Sequence, residues 1–170
     1  SRLLPWALLG LAIVVTQIAL GGWTSSNYAA LACQDFPRCH GEWWPEMDFG
    51  EGFVLWRGLG VDYEYGVLDH PARTAIHVTH RLGALLTAIY LIGLSVALLR
   101  GYSGAPRRMG AVVLGVLALQ IALGISNIVF HLPLWVAVAH NATGAALLLT
   151  LVTLLALLTR PAGPAVTRGG

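Results

Sequence analysis

All eight carboxylate side chains of this 170-residue chain fall between Asp35 and Asp69, and no residue outside that window carries a negatively charged side chain. This leaves four long stretches, at about 3–22, 74–99, 109–130 and 134–159, with almost no charge. Roughly 20 mostly apolar residues in a helix cross about 30 Å of hydrocarbon, and each stretch reaches that length. Only 11% of the residues are charged, under half of the roughly 25% typical of a soluble domain. The chain therefore cannot cover a water-facing surface. Disorder, a collagen-like chain and a soluble enzyme are excluded, and no basic patch exists to bind nucleic acid. The expected fold is all-α and integral to the lipid bilayer. It is a four-transmembrane-helix bundle with an internal two-helix repeat and a long extracytoplasmic loop, forming one domain over residues 1–170.

The arginines set the expected orientation. There is no lysine, and Arg2, Arg100, Arg107, Arg108, Arg160 and Arg168 lie at one end of a four-span threading. The other end holds Arg38, Arg57 and Arg73 within the acidic loop, about 23–73. The positive-inside rule then places both termini in the cytoplasm of a multi-pass inner-membrane protein. Trp6, Trp23 and Trp135 sit at the expected helix ends, where an interfacial aromatic belt lies. The first apolar run is too long for a signal peptide and no A-x-A site follows it closely, so it reads as a retained helix. His131, Leu132 and Pro133 make a turn that allows only an antiparallel pair of the last two helices. A loop of about 50 residues is long for structureless chain, and it is expected to fold as a cap with short helices.

Cys33 and Cys39 are the only cysteines, and both lie in the outward loop, where oxidising conditions permit a disulfide. A disulfide is the expectation, with two free thiols as the alternative. The c-type haem motif Cys-x-x-Cys-His is incomplete, since Cys39–His40 supplies only its end. Zinc held with His40 lacks a fourth ligand nearby.

The word Gln17-Ile18-Ala19-Leu20-Gly21 of the first span recurs as Gln120-Ile121-Ala122-Leu123-Gly124 in the third. The second and fourth spans match as well, with His80 lying 20 residues before Arg100 and His140 lying 20 before Arg160. At about 1.5 Å per residue both histidines stand roughly 30 Å above the cytoplasmic arginines. Two helix pairs with the same directions imply a pseudo-two-fold axis along the membrane normal, with the imidazoles facing one another at one depth. Intramembrane ionisable residues mark sites, although a histidine can also serve as helix glue. Two at matched depth point to a shared ligand built between facing helices. Zinc would want further donors, whereas haem iron takes two axial imidazoles, with Gly83 and Gly144 making room or packing helices. His77, one turn outward of His80, reads as a support for the site, a substrate surface or an interfacial residue. Arg81 is placed to meet a haem propionate or to snorkel to lipid phosphate. Gln17, Gln120 and Asn127 read as polar groups holding helices together, and His131 as interfacial.

The run Cys33-Gln34-Asp35-Phe36-Pro37-Arg38-Cys39-His40-Gly41, then Trp43-Trp44-Pro45 and His80-Arg81-Leu82-Gly83-Ala84, resembles the haem A synthase family of the CtaA type. That family oxidises a methyl substituent of haem O to the formyl group of haem A for terminal oxidases. Its members have eight spans in two homologous halves, each with a cysteine-bearing outward loop and histidines near the outer ends of its second and fourth helices. The resemblance covers about Thr16 to Leu158. It implies an oxidoreductase of cytochrome oxidase assembly, with haem O and haem A as substrate and product. The family's substrate-side half carries a glutamate three residues before its His-Arg pair, where this chain has His77. By resemblance this is the C-terminal half, holding haem b between His80 and His140, and a second four-helix half or a homo-oligomer is the expected partner. Since Ser1 is not an initiator and four spans make one half, the chain is expected to be a fragment or a domain. The alternatives are a b-type membrane cytochrome or assembly factor without catalysis, and a four-span thiol–quinone oxidoreductase using Cys33 and Cys39.

Overall fold

The computed structural model describes residues 1–58 and 66–159. Four long helices dominate: α1 (Leu4–Ser26), α3 (His70–Gly101), α4 (Gly104–Val129) and α5 (Leu134–Thr159), with the short α2 (Phe49–Gly52) between the first two. All four long helices are long and apolar enough to cross a membrane, and no strand occurs among the described residues.

The helix ends follow local chemistry. Pro5 falls in the first turn of α1, where its missing N–H costs nothing. Asp69 caps α3 by accepting from the Ala72 N–H at 2.9 Å, with Pro71 beside it. This cap starts α3 at His70, four residues before the expected Thr74, and its 32 residues span about 48 Å. The first turns of α3 therefore reach past a hydrocarbon thickness of about 30 Å into the loop. Between α4 and α5 the chain reverses at His131 and Leu132, both in the left-handed region (φ 57 and 62). Pro133 follows, and its carbonyl accepts from Val136 and Ala137 as α5 begins.

α1 packs against α3 and α5, and α4 packs against the same two. Among the described residues the backbone of α3 does not come close to that of α5, nor that of α1 to that of α4. The helices thus form a four-cornered bundle with α3 and α5 on one diagonal. Its apolar core holds Val14, Leu91, Leu94, Leu98, Val113, Leu117, Leu147, Leu151 and Leu154. This core stops at Ala88 on α3 and Leu147 on α5, about two turns short of His80 and His140. The end of the bundle near Arg100 is therefore close-packed with leucine, and the other end is built differently. Exposed Leu85, Leu86, Ile89, Leu119, Val138 and Leu149 give the outside the apolar surface that lipid requires.

The loop between α1 and α3 folds over the histidine end. Trp23 differs from the belt residue expected of it: its Nε1 donates to the Gly52 carbonyl at 2.9 Å, and it packs on Ala29, Leu68, Ala72 and Ile76. Trp6 and Trp135 are exposed as a belt requires, at 56% and 72%. Gly52 is needed where it stands, because a Cβ there would meet the Ala72 carbonyl at 2.9 Å. Arg160 and Arg168, used above to set orientation, lie outside the described residues.

Candidate functional site

His80 on α3 and His140 on α5 stand across the diagonal and are near enough to interact electrostatically. Each is half-buried, and each is met by a glutamine of its neighbour helix, His80 at Nδ1 and His140 at Nε2. Gln17 of α1 brings its Nε2 within 3.0 Å of His80 Nδ1 and donates to the His80 carbonyl at 2.9 Å. Gln120 of α4 brings its Nε2 within 3.4 Å of His140 Nε2. Gly21, one turn on from Gln17, seats His80: a Cβ there would lie 3.2 Å from its Cε1. Gly124, one turn on from Gln120, seats His140 at the same 3.2 Å. Gly83 then faces the Gln17 amide and Gly144 faces that of Gln120. The repeated five-residue word is thus a repeated structure, a glutamine and a glycine gripping one imidazole. Gln17 and Gln120 do join helices, as expected, and they do so through the histidines.

These grips leave polar atoms unpaired. Gln17 Oε1, Gln120 Oε1 and His140 Nδ1 are buried without a hydrogen-bond partner, an arrangement that costs about 1–3 kcal/mol per atom.

His77 is buried and has both ring nitrogens committed. Its Nδ1–H donates to the Ala29 carbonyl at 2.8 Å, and its Nε2 accepts from Arg81 Nε at 2.8 Å. Arg81 reaches on into the loop: Nη1 donates to the Arg38 carbonyl at 2.8 Å, and Nη2 to those of Cys33 (3.1 Å) and Asp35 (2.8 Å). Its guanidinium also lies 5.6 Å from the Phe36 ring centre, within cation–π range. Four of its N–H groups are used by the protein, so no anionic partner is needed to explain why it is there.

Cys33 and Cys39 form a disulfide, with sulfurs 2.04 Å apart, which removes the free-thiol and zinc-thiolate readings. Asp35 closes the loop they define, accepting from the His40 N–H at 2.7 Å and the Gly41 N–H at 2.9 Å. Those backbone donors, Gly41 first, hold its carboxyl below the usual carboxylate range. His131 is exposed in the α4–α5 turn. Among the described residues no group of three or more His, Cys, Asp or Glu side chains converges. A structural zinc centre with three or four side-chain ligands therefore has no place at the span imidazoles.

Sequence reading missed the glycine seats, though the repeated word ends on both. It also missed the carbonyls that hold Arg81, because backbone groups leave no signature in sequence.

Residues 1–152 match the COX15-CtaA family model, described as cytochrome oxidase assembly protein. A heme A synthase of Shewanella oneidensis is 47% identical over 91% of this chain and 46% of its own length. One from Methylobacterium radiotolerans is 34% identical over 96% of this chain and 42% of its own. One from Caulobacter sp. is 33% identical, covering 87% and 40%. The chain thus spans less than half the length of these relatives. No solved structure matches it.

Proposed function

The chain belongs to the COX15-CtaA family of cytochrome oxidase assembly proteins, and from that membership we propose that it is the cofactor-haem unit of a haem A synthase. In this reading His80 and His140 would hold the iron of one haem b in the outer half of the bundle. The observation that carries it is the twice-built grip of glutamine and glycine on an imidazole, set on diagonal helices whose backbones stand apart. The residues fit such a group. Two half-buried imidazoles without a third side-chain donor suit a metal that brings its own equatorial nitrogens, and the leucine core ends before reaching them. When bound, the haem supplies a one-electron redox centre for the oxidation of the haem O methyl group to the formyl of haem A.

The chain's own residues bind and orient. Gln17 and Gln120 fix the ring planes, and a ligand histidine's second nitrogen is commonly set by such a partner. His77 and Arg81 tie the outer end of α3 to the disulfide loop, which closes that end of the bundle. Haem O and haem A are then the substrate and product of the assembled enzyme, with a second four-helix unit or another copy of the chain as partner. Residues 1–170 form one four-span unit of the inner membrane, with its loop outside and its termini in the cytoplasm.

A second reading, a b-type cytochrome without catalysis, is favoured by one fact: the spans hold no carboxylate to serve as a base. Purified protein should show a low-spin bis-histidine optical and spin-resonance spectrum, lost in His80→Ala and in His140→Ala and kept in His131→Ala. A normal six-coordinate haem in both variants would refute the ligand assignment. Haem A in the pigments of expressing cells favours the synthase, and haem B alone the cytochrome.

A further inference from the structure

A second pair of histidines lies outside the spans. His40 stands in the disulfide loop and His70 opens α3, and both are exposed. Their Nε2 atoms are 3.1 Å apart, with ring centres 4.8 Å apart and planes tilted by 36°. The Ala32 carbonyl lies 2.7 Å from the same His40 Nε2. A second imidazole nitrogen and a carbonyl oxygen thus both approach the His40 Nε2 on the outer surface.

We propose that His40 and His70 chelate a divalent transition-metal ion of the zinc or copper class at this surface, with the Ala32 carbonyl and water completing its coordination. The proton count supports this. Two ring nitrogens face one another at 3.1 Å only if one carries hydrogen and the other a lone pair. The single His40 Nε2–H is shared between His70 Nε2 and the Ala32 oxygen. An ion replacing that proton meets two imidazole lone pairs and one carbonyl, and the proton leaves to solvent, as in ordinary metal binding by histidine. A metal about 2.0–2.1 Å from each nitrogen at a tetrahedral angle holds them roughly 3.3 Å apart, within a few tenths of an ångström of what is seen. Imidazole with carbonyl and water is a donor set for zinc or copper rather than calcium or magnesium.

Both rings rest on fixed supports. His40 sits in the left-handed region (φ 55), next to the disulfide, with its N–H held by Asp35. A non-glycine residue held there against its preference is the kind of strain that accompanies function. His70 is fixed by the Asp69 cap and Pro71 at the start of α3. The site does not depend on His80, His140 or a haem.

The untagged chain in detergent, titrated with Zn²⁺ against a chromophoric chelator, should bind one equivalent. Affinity should fall at least tenfold in His70→Gln and in His40→Asn, where asparagine tolerates the left-handed backbone, and hold in His131→Ala. Cu²⁺ added to the unaltered protein should give a spin-resonance signal split by two imidazole nitrogens, a test needing no variant. Unchanged Zn²⁺ affinity in both variants, or no stoichiometric binding by the unaltered chain, would overturn the proposal. The haem spectrum of the same variants should stay as in the unaltered protein, which separates this site from the span histidines.

Discussion

Gln17 and Gln120 each contribute an amide beside an imidazole, and neither amide has its oxygen paired. Replacing either with leucine keeps the volume and removes the orienting group. Losing such a partner to a metal ligand costs about 10- to 100-fold in affinity. Gln17→Leu and Gln120→Leu should therefore retain both ligands and show weakened haem retention with shifted spin-resonance g-values. Spectra identical to the unaltered protein would show that the amides do not position the rings. Arg81 joins His77 to the disulfide loop. Its four donated hydrogen bonds depend on the planar fork of the guanidinium, which lysine lacks. Arg81→Lys should lower thermal stability by about 2–4 kcal/mol and speed hydrogen exchange at 33–42; unchanged exchange would refute the clamp. Asp35 adds a pH dependence whose sign is fixed. Its carboxyl is held below the ordinary 3.8, first by the Gly41 N–H, so its contribution to loop stability is complete above that value. That contribution is lost as pH falls through the lowered folded value. Exchange at His40 and Gly41, followed on acidification, should rise only below the ordinary carboxylate range, and Asp35→Asn should flatten the dependence.

At the scale of elements, α2 is four residues long and cannot hold itself together. It is kept in place by Gly52 lying against the Ala72 carbonyl and by Trp23 bonding the Gly52 carbonyl. Gly52→Ala puts a methyl where backbone already stands, so α2 must move off α3. A loss of about 1–3 kcal/mol is expected, together with a shift in Trp23 fluorescence, measured by melting and emission. An unshifted emission would mean that α2 does not rest on Trp23. The long helices were legible to within a few residues because lipid demands an uninterrupted apolar run. Their ends were less so: α3 begins at the Asp69 cap with Pro71, a signal in plain view that hydropathy weighs as polar loop. α1 continues through Trp23 to Ser26 for the complementary reason, since polar residues extend a helix that the loop packs against. The paired histidines and the disulfide were visible as spacing. The grip of Arg81 on carbonyls some 45 residues earlier was hidden, as was the meeting of His40 with His70 across 30 residues, because both depend on how the loop folds back.

For the whole molecule, asymmetry along the bundle axis is the organising fact. The leucine core fills the end near Arg100, while the paired imidazoles, the disulfide loop and, among the described residues, every carboxylate belong to the other end. Moving a charged loop with eight acids across a bilayer is easier than moving clustered arginines against the membrane potential, so charge and packing point to one orientation. Arg2 lies beside the start of α1, while Arg100, Arg107 and Arg108 flank the α3–α4 turn, all at the leucine-packed end. That end is therefore expected in the cytoplasm and the histidine end outside. A single cysteine placed by Ser103→Cys in the α3–α4 turn should resist an impermeant maleimide in intact spheroplasts and react once they are permeabilised. Protease applied from outside should cut between Gly41 and His70 and leave α5 joined to the chain beyond it. Labelling of Ser103→Cys from outside would reverse the topology, and with it the face from which a haem substrate and an external metal ion could approach the two pairs of histidines.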